Sequence, residues 1–148
     1  HENPLFDMRT SDYTHNPLTL AQLDGLVSVN SAVQVDLRGQ VNAESLGGRP
    51  VGGVGGAVDF TLGATLARGG RSIVALQATA GGGKHSRIVK KLEDAVVTTP
   101  ASVVDFVVTE YGIAELAGKS LEERAQALRR IAAPEHAAAL NQDSRGPV

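Results

Sequence analysis

Twelve of the chain's 17 glycines fall between Gly47 and Gly83. The densest part, GRPVGGVGGAVDFTLGATLARGG (48–70), is not a polar linker, because Val51, Val54, Val58, Phe60, Leu62 and Leu66 run through it. Bare backbone interleaved with apolar side chains has to pack against something while leaving N–H groups exposed. Few folds use such a segment, and it is the natural place to look for function.

Within it, GGVGG (52–56) leads into AVDFTLGATLA, where Val58, Leu62 and Leu66 recur at the spacing of one helical face. That pattern predicts a short helix beginning near Ala57. Gly63 opposes it, since a mid-helix glycine costs about 1 kcal/mol against alanine. A glycine loop ending at a helix N-terminus presents N–H groups that lack intrahelical partners, and these can approach an anion or a developing oxyanion. The plainer reading is a tight turn, and spacing does not separate the two. The segment is neither GxxxxGK[ST] nor GxGxxG, so an oxyanion or thioester site outranks a nucleotide pyrophosphate site.

The flanking sequence reads as α/β. His1–Pro17 carries Asn-Pro twice, which favours turns or extended chain. Leu18–Leu23 reads as a short helix ended by Asp24-Gly25. LVSVNSAVQVDL (26–37) alternates as one strand, with Val27, Val29, Val33, Val35 and Leu37 on one side and Ser28, Asn30, Gln34 and Asp36 on a polar side. Arg38-Gly39-Gln40 reads as a tight turn and VNAES as a short returning strand. SIVALQAT (72–79), AVVTT (95–99) and VVDFVVT (103–109) are further strands, with AGGGKHSR (80–87) a mobile, cationic loop suited to phosphate, or simply a solvated one. Ser120 with Glu123 forms a capping box opening a helix that carries Leu121, Ala125, Leu128 and Ala132 on one face. Pro134 ends that helix and starts another through EHAAAL.

Composition narrows the classes. At 148 residues and net charge −2 the chain fits one domain with a real core and shows no basic excess for nucleic acid. It has no cysteine, which removes disulfides, thiolate metal sites and a catalytic thiol. No apolar run approaches the ~20 residues of a membrane helix. The carboxylates Asp36, Glu44, Asp59 and Glu110 each lie near a motif, but a structural hydrogen bond is the commoner use of any one. His1, His15, His85 and His136 show no metal-ligand spacing. The opening at His1 rather than Met is read as a fragment of a longer enzyme.

Five stretches, in order, carry a resemblance: VNSAVQVDLRGQVNAESLGG, GGVGGAVDF, GKHSRIV, VVTTPASVVDFVVTEYGIAEL and GKSLEERAQALRRIA. From about Asp12 to Leu140 the chain resembles the C-terminal domain of the acetyl-CoA hydrolase/transferase family. The resemblance implies a CoA-transferase (NagB/RpiA-like) domain: an α/β fold with an open mixed sheet flanked by helices. It divides the chain into a lead-in from a missing N-terminal domain (1–17), the domain proper (18–140) and a frayed tail (141–148). It further implies acyl-CoA chemistry through a glutamyl-CoA thioester, the nucleophilic glutamate lying upstream of His1; the absence of cysteine fits a cytoplasmic protein.

Coenzyme A or acyl-CoA is then a substrate with a small carboxylate as acceptor, no cofactor or metal is held permanently, and the full-length enzyme is a homo-oligomer. Matched residue by residue, Gly56 falls where the family places an oxyanion-hole N–H, Gly55 and Ala57 flank the CoA chain, and Asn16 contacts CoA. The loop Gly81, Gly82, Gly83 and Lys84 is a second CoA-contacting segment, although relatives often carry lysine at the position of Gly81. Glu110, in VTEYG, is expected to hold structure rather than react. An isolated CoA- or anion-binding module, or a purely structural domain, is the competing reading.

Overall fold

The computed structural model describes residues 3–141. Two one-turn helices, α1 (Ser11–Thr14) and α2 (Pro17–Leu20), precede the first strand, β1 (Val27–Ser31). Next come β2 (Gln34–Asp36), β3 (Val41–Asn42), β4 (Ser45–Leu46) and β5 (Arg49–Pro50), then α3 (Ala57–Leu66). The second half holds β6 (Arg71–Ala75), β7 (Thr79–Ala80), β8 (His85–Ser86), β9 (Ile88–Val89), β10 (Phe106–Thr109) and β11 (Gly112–Glu115). The helices α4 (Leu121–Arg130) and α5 (Ala137–Asn141) close the described chain. The main sheet has order β1-β6-β10-β11, parallel except for the terminal β10/β11 hairpin, and β3-β2-β9 forms a smaller mixed sheet.

The core lies between these two sheets and α4, with Val35, Ile88, Val104, Val107, Leu116 and Leu128 fully buried. Each such side chain contributes about 1.5–3 kcal/mol by leaving water. Helix α3 packs on β1 and β6, and α4 on β11. The capping box is present: the Ser120 hydroxyl accepts from the Glu123 N–H at 3.3 Å, and the Glu123 carboxylate accepts from the Ser120 N–H at 2.8 Å. These contacts hold the Glu123 carboxyl below its ordinary range. On α4, Ala125 and Leu128 are buried while Leu121 is exposed.

Several sequence expectations are corrected. LVSVNSAVQVDL is not one strand: β1 pairs with β6 in the main sheet, whereas β2 pairs with β3 and β9 in the small one. In β1 it is the polar side that faces inward. Ser28 is 4% exposed, against 53% for Val27 and 62% for Val29. Asp36, expected on a polar strand face, is fully buried. Its Oδ1 accepts from the N–H groups of Arg38 (3.0 Å) and Gln40 (2.9 Å), closing the expected turn at Gly39. Its Oδ2 has no partner among the described residues, and burial pushes the carboxyl above its ordinary range, against the pull of the Gln40 and Arg38 N–H groups.

AVVTT forms no strand. Thr99 makes a single bridge to Val41, and Val96 N–H donates instead to Ser45 Oγ. SIVALQAT breaks after Ala75, and β11 was not anticipated at all. AGGGKHSR forms a hairpin: β7 and β8 pair antiparallel across Gly81, Gly82 and Gly83, which take φ of 61°, 66° and 90° in succession. Pro17 rather than Leu18 begins α2, which has only four residues. The expected frayed tail lies outside the described residues apart from Asn141.

Candidate functional site

The lead-in to the glycine loop is built by one buried side chain. Asn42 is fully buried; its Nδ2 donates to the Ser45 carbonyl at 2.7 Å and its Oδ1 accepts from the N–H groups of Glu44 and Ser45. This fixes a turn after β3. Val51 N–H then donates to the Glu44 carbonyl at 2.7 Å, and the Glu44 carboxylate accepts from the Thr98 hydroxyl at 2.9 Å. The chain leaves β5 anchored and runs exposed through Gly52–Gly55.

The glycines of the loop differ in what they are needed for. Gly55 has φ +53°, where a side chain is strained. Gly56 precedes α3, and a Cβ there would lie 2.6 Å from the His15 ring, which stands edge-on to Phe60 with centroids 5.2 Å apart. Gly52 and Gly53 have ordinary φ and meet nothing closer than 3.9 Å, so the described fold does not require glycine at either. The N-cap of α3 has no side-chain hydrogen bond, and Asp59 stands in its first turn.

Sequence periodicity located this helix but misjudged its inner face. The buried residues are Thr61, Gly63 and Ala64, whereas Leu66 is 55% exposed. Gly63 is the point of contact with α2, because an added Cβ would sit 2.4 Å from Leu20 Cβ.

Asn16, Gly55, Gly56 and Ala57 are therefore gathered at one corner. Asn16 is the N-cap of α2, its Oδ1 accepting the Leu18 N–H at 2.9 Å. With Ser11, Asp12, His15, Pro17 and Asp59 it lines an open hollow of about 520 Å³. His15 was visible in the sequence only as an isolated histidine. The signal that could have found it is its place in THNP, next to Asn16.

Gly81–Lys84 lie elsewhere, in the β7/β8 hairpin, where the Gly83 carbonyl is 2.9 Å from His136 Nε2. A second hollow of about 420 Å³ beside them is lined by Gln34, Ser86, Lys90, Lys91, Glu93 and His136. The two hollows share no lining residue. Glu110 does hold structure, its Oε2 accepting the Ala78 N–H at 2.8 Å. Among the described residues no cluster of His, Asp or Glu is arranged to hold a metal ion.

The fold is an α/β domain with a mixed main sheet, a glycine loop leading into α3, and Gly81–Lys84 on a separate hairpin. Comparison with known proteins makes the class specific. Residues 1–144 match the acetyl-CoA hydrolase/transferase C-terminal domain, and the chain belongs to that family. It is 52% identical over 135 residues to the 4-hydroxybutyrate coenzyme A transferase of Clostridium kluyveri, which covers 90% of this chain and 32% of that protein. Among solved structures, RipA from Yersinia pestis is 40% identical with TM-score 0.82, over 88% of this chain and 30% of RipA. The 4-hydroxybutyrate CoA-transferase of Porphyromonas gingivalis is 40% identical with TM-score 0.79, over 95% of this chain and 32% of that one. The chain thus spans about a third of the length of the relatives it matches, and its fold is that of their C-terminal domains.

Proposed function

We propose that this chain is the CoA-binding C-terminal part of an acyl-CoA:carboxylate CoA-transferase, or of an acyl-CoA hydrolase, whose nucleophilic glutamate lies upstream of His1. The observation that carries this reading is the pair Gly52-Gly53: bare backbone that the described fold does not itself require, next to a helix start without a side-chain cap. Backbone left open at such a point suits the close approach of a ligand.

In this reading the upstream carboxylate attacks the thioester carbonyl, giving an acyl-glutamyl anhydride and free CoA thiolate. The thiolate then attacks the glutamyl carbonyl of the anhydride and releases the donor acid as its carboxylate, leaving a glutamyl-CoA thioester. The acceptor carboxylate runs the same two steps in reverse, taking the CoA and freeing the glutamate. The Gly56 N–H stabilises the tetrahedral oxyanion, an effect worth about 3–4 kcal/mol per donor in preorganised sites. Gly55 and Ala57 flank the pantetheine end, and Asn16 holds it at the hollow.

Charge supports splitting the ligand between the two places. Asp12 and Asp59 line the first hollow and repel phosphate, whereas Lys84, Arg87, Lys90 and Lys91 cluster at and after the hairpin. The phosphates belong with Gly81–Lys84. Residues 18–140 form the domain proper and 1–17 its lead-in, and the full-length enzyme acts in the cytoplasm as a homo-oligomer.

The test uses the full-length enzyme. Gly53→Val should leave thermal stability within about 0.5 kcal/mol, as for surface changes away from packing, while CoA exchange between acetyl-CoA and a carboxylate falls at least tenfold. Full exchange activity in a folded Gly53→Val enzyme would refute the assignment.

A further inference from the structure

Among the described residues the main sheet is covered on one face only. Ser28, Ser72, Val74, Val107 and Ala114 point into the domain, where the Asn30 side-chain amide donates to Thr61 of α3 at 3.2 Å and the Thr109 hydroxyl donates to the Ile131 carbonyl at 2.6 Å. The opposite face is apolar and bare. By register, Val29, Ile73 and Phe106 stand in one row, and Val108 and Ile113 in the next. Val29 is 62% and Ile113 69% exposed, and the central Ile73, Phe106 and Val108 remain partly exposed, as they would not be under a packed layer. Charges occur only at the margins, at Arg71 and Glu115.

Parallel sheets are covered on both faces, because their crossovers lie on the faces. Handedness says where the second layer originates. The β1-to-β6 and β6-to-β10 crossovers step in the same direction along the sheet, so the right-handed rule puts both on one face, the one occupied here by α3 and the small sheet. Crossovers on the other face must step the opposite way, among strands placed beyond β1, whose outer edge is unpaired among the described residues.

We infer that this bare face is the seat of amphipathic helices from the polypeptide upstream of His1, whose strands extend the sheet past β1. The inference rests on reading the chain as part of a longer CoA-transferase. The chain matches a C-terminal domain and spans only 32% of a relative, which leaves upstream polypeptide to supply the cover. A second copy of the chain would seat its own bare face there but would leave the parallel edge of β1 without a partner strand.

These 148 residues hold no cysteine, and peptide-level readout separates each introduced thiol from any elsewhere in the polypeptide. In the full-length enzyme, Val29→Cys, Ile113→Cys and, as control, Gln126→Cys on the exposed side of α4 are alkylated and followed by peptide-resolved mass spectrometry. Cover over this face predicts at least about tenfold slower alkylation at Val29 and Ile113 than at Gln126, with the difference erased in urea. A photo-crosslinking amino acid incorporated during synthesis in place of Val29 should join a peptide upstream of His1 in the same polypeptide. Alkylation at the control's rate in an enzyme that still exchanges CoA would overturn the inference while leaving the functional reading intact. Cross-links into a second polypeptide would overturn it in favour of a dimer contact. Protection and upstream cross-links in an enzyme that exchanges no CoA would support the inference and count against the function.

Discussion

Gly63→Ala sets two physical effects against each other at a single atom. Helix propensity favours alanine by about 1 kcal/mol in a helix interior, so a reading of α3 by itself expects stabilisation. Packing says otherwise. The new methyl would sit 2.4 Å from Leu20 Cβ, 3.1 Å from its Cδ1 and 3.3 Å from its Cγ. A rotamer change can move Cδ1 and Cγ but not Cβ, so α2 itself has to shift. Overpacking costs about 1–3 kcal/mol, and an obstruction fixed to the backbone belongs at the upper end. The net expectation is destabilisation by about 2 kcal/mol. With a urea m-value of about 2 kcal/mol/M, the unfolding midpoint should fall by about 1 M. Leu66→Ala, on the exposed side of the same helix, is the control and should stay within about 0.5 kcal/mol. Circular dichroism against urea measures both. A Gly63→Ala midpoint equal to or above the parent's would mean that propensity prevails and that α2 does not lie on α3 as described.

Ser120→Ala should cost about 1 kcal/mol by removing the cap of α4, read as a lower urea midpoint. Glu123, whose folded pKa is lowered, stabilises the fold above its unfolded pKa, and that contribution is lost as pH falls through the folded value. In Glu123→Gln the decline of the midpoint on acidification should therefore be shallower than in the parent. Asp36 has the opposite sign. Its folded pKa is raised, so its contribution is fully present below the unfolded pKa and fades as pH rises through the folded one. The parent should gain stability relative to Asp36→Asn as pH is lowered from neutrality toward 4, and parallel midpoint curves would contradict the burial argument. Gly56→Val, unlike Gly53→Val, should lower both stability and CoA exchange, because it displaces the His15 ring as well as crowding the loop.

What the sequence made legible were features whose cause is local. The capping box at Ser120, the turn at Gly39 and the start of α3 near Ala57 are each set by residues within one turn of themselves. The alternation of Val27 and Val29 was just as local, and it gave the period of β1 without giving its phase. Which side of a strand faces inward depends on what covers the sheet, and among the described residues nothing covers the valine side. The division of LVSVNSAVQVDL between two sheets was hidden for a similar reason, since β2 is claimed by Ile88 and Val89, far along the chain. At the site, the glycine loop announced itself by composition, whereas the ring of His15 over Gly56 depends on a tertiary contact that spacing does not encode.

The parallel pairing of β1 with β6 also has a kinetic side. Val27 finds its partner in Arg71, about 44 residues later in the chain. At ribosomal rates of about 5–20 residues per second, that strand waits roughly 2 to 9 s before its neighbour has been made. The local hairpins β2/β3 and β4/β5 can close in that interval, but they consume none of β1's hydrogen-bonding edge. For those seconds the nascent chain displays Val27 and Val29 on an unpaired strand, the state in which a strand edge is most open to pairing with another chain.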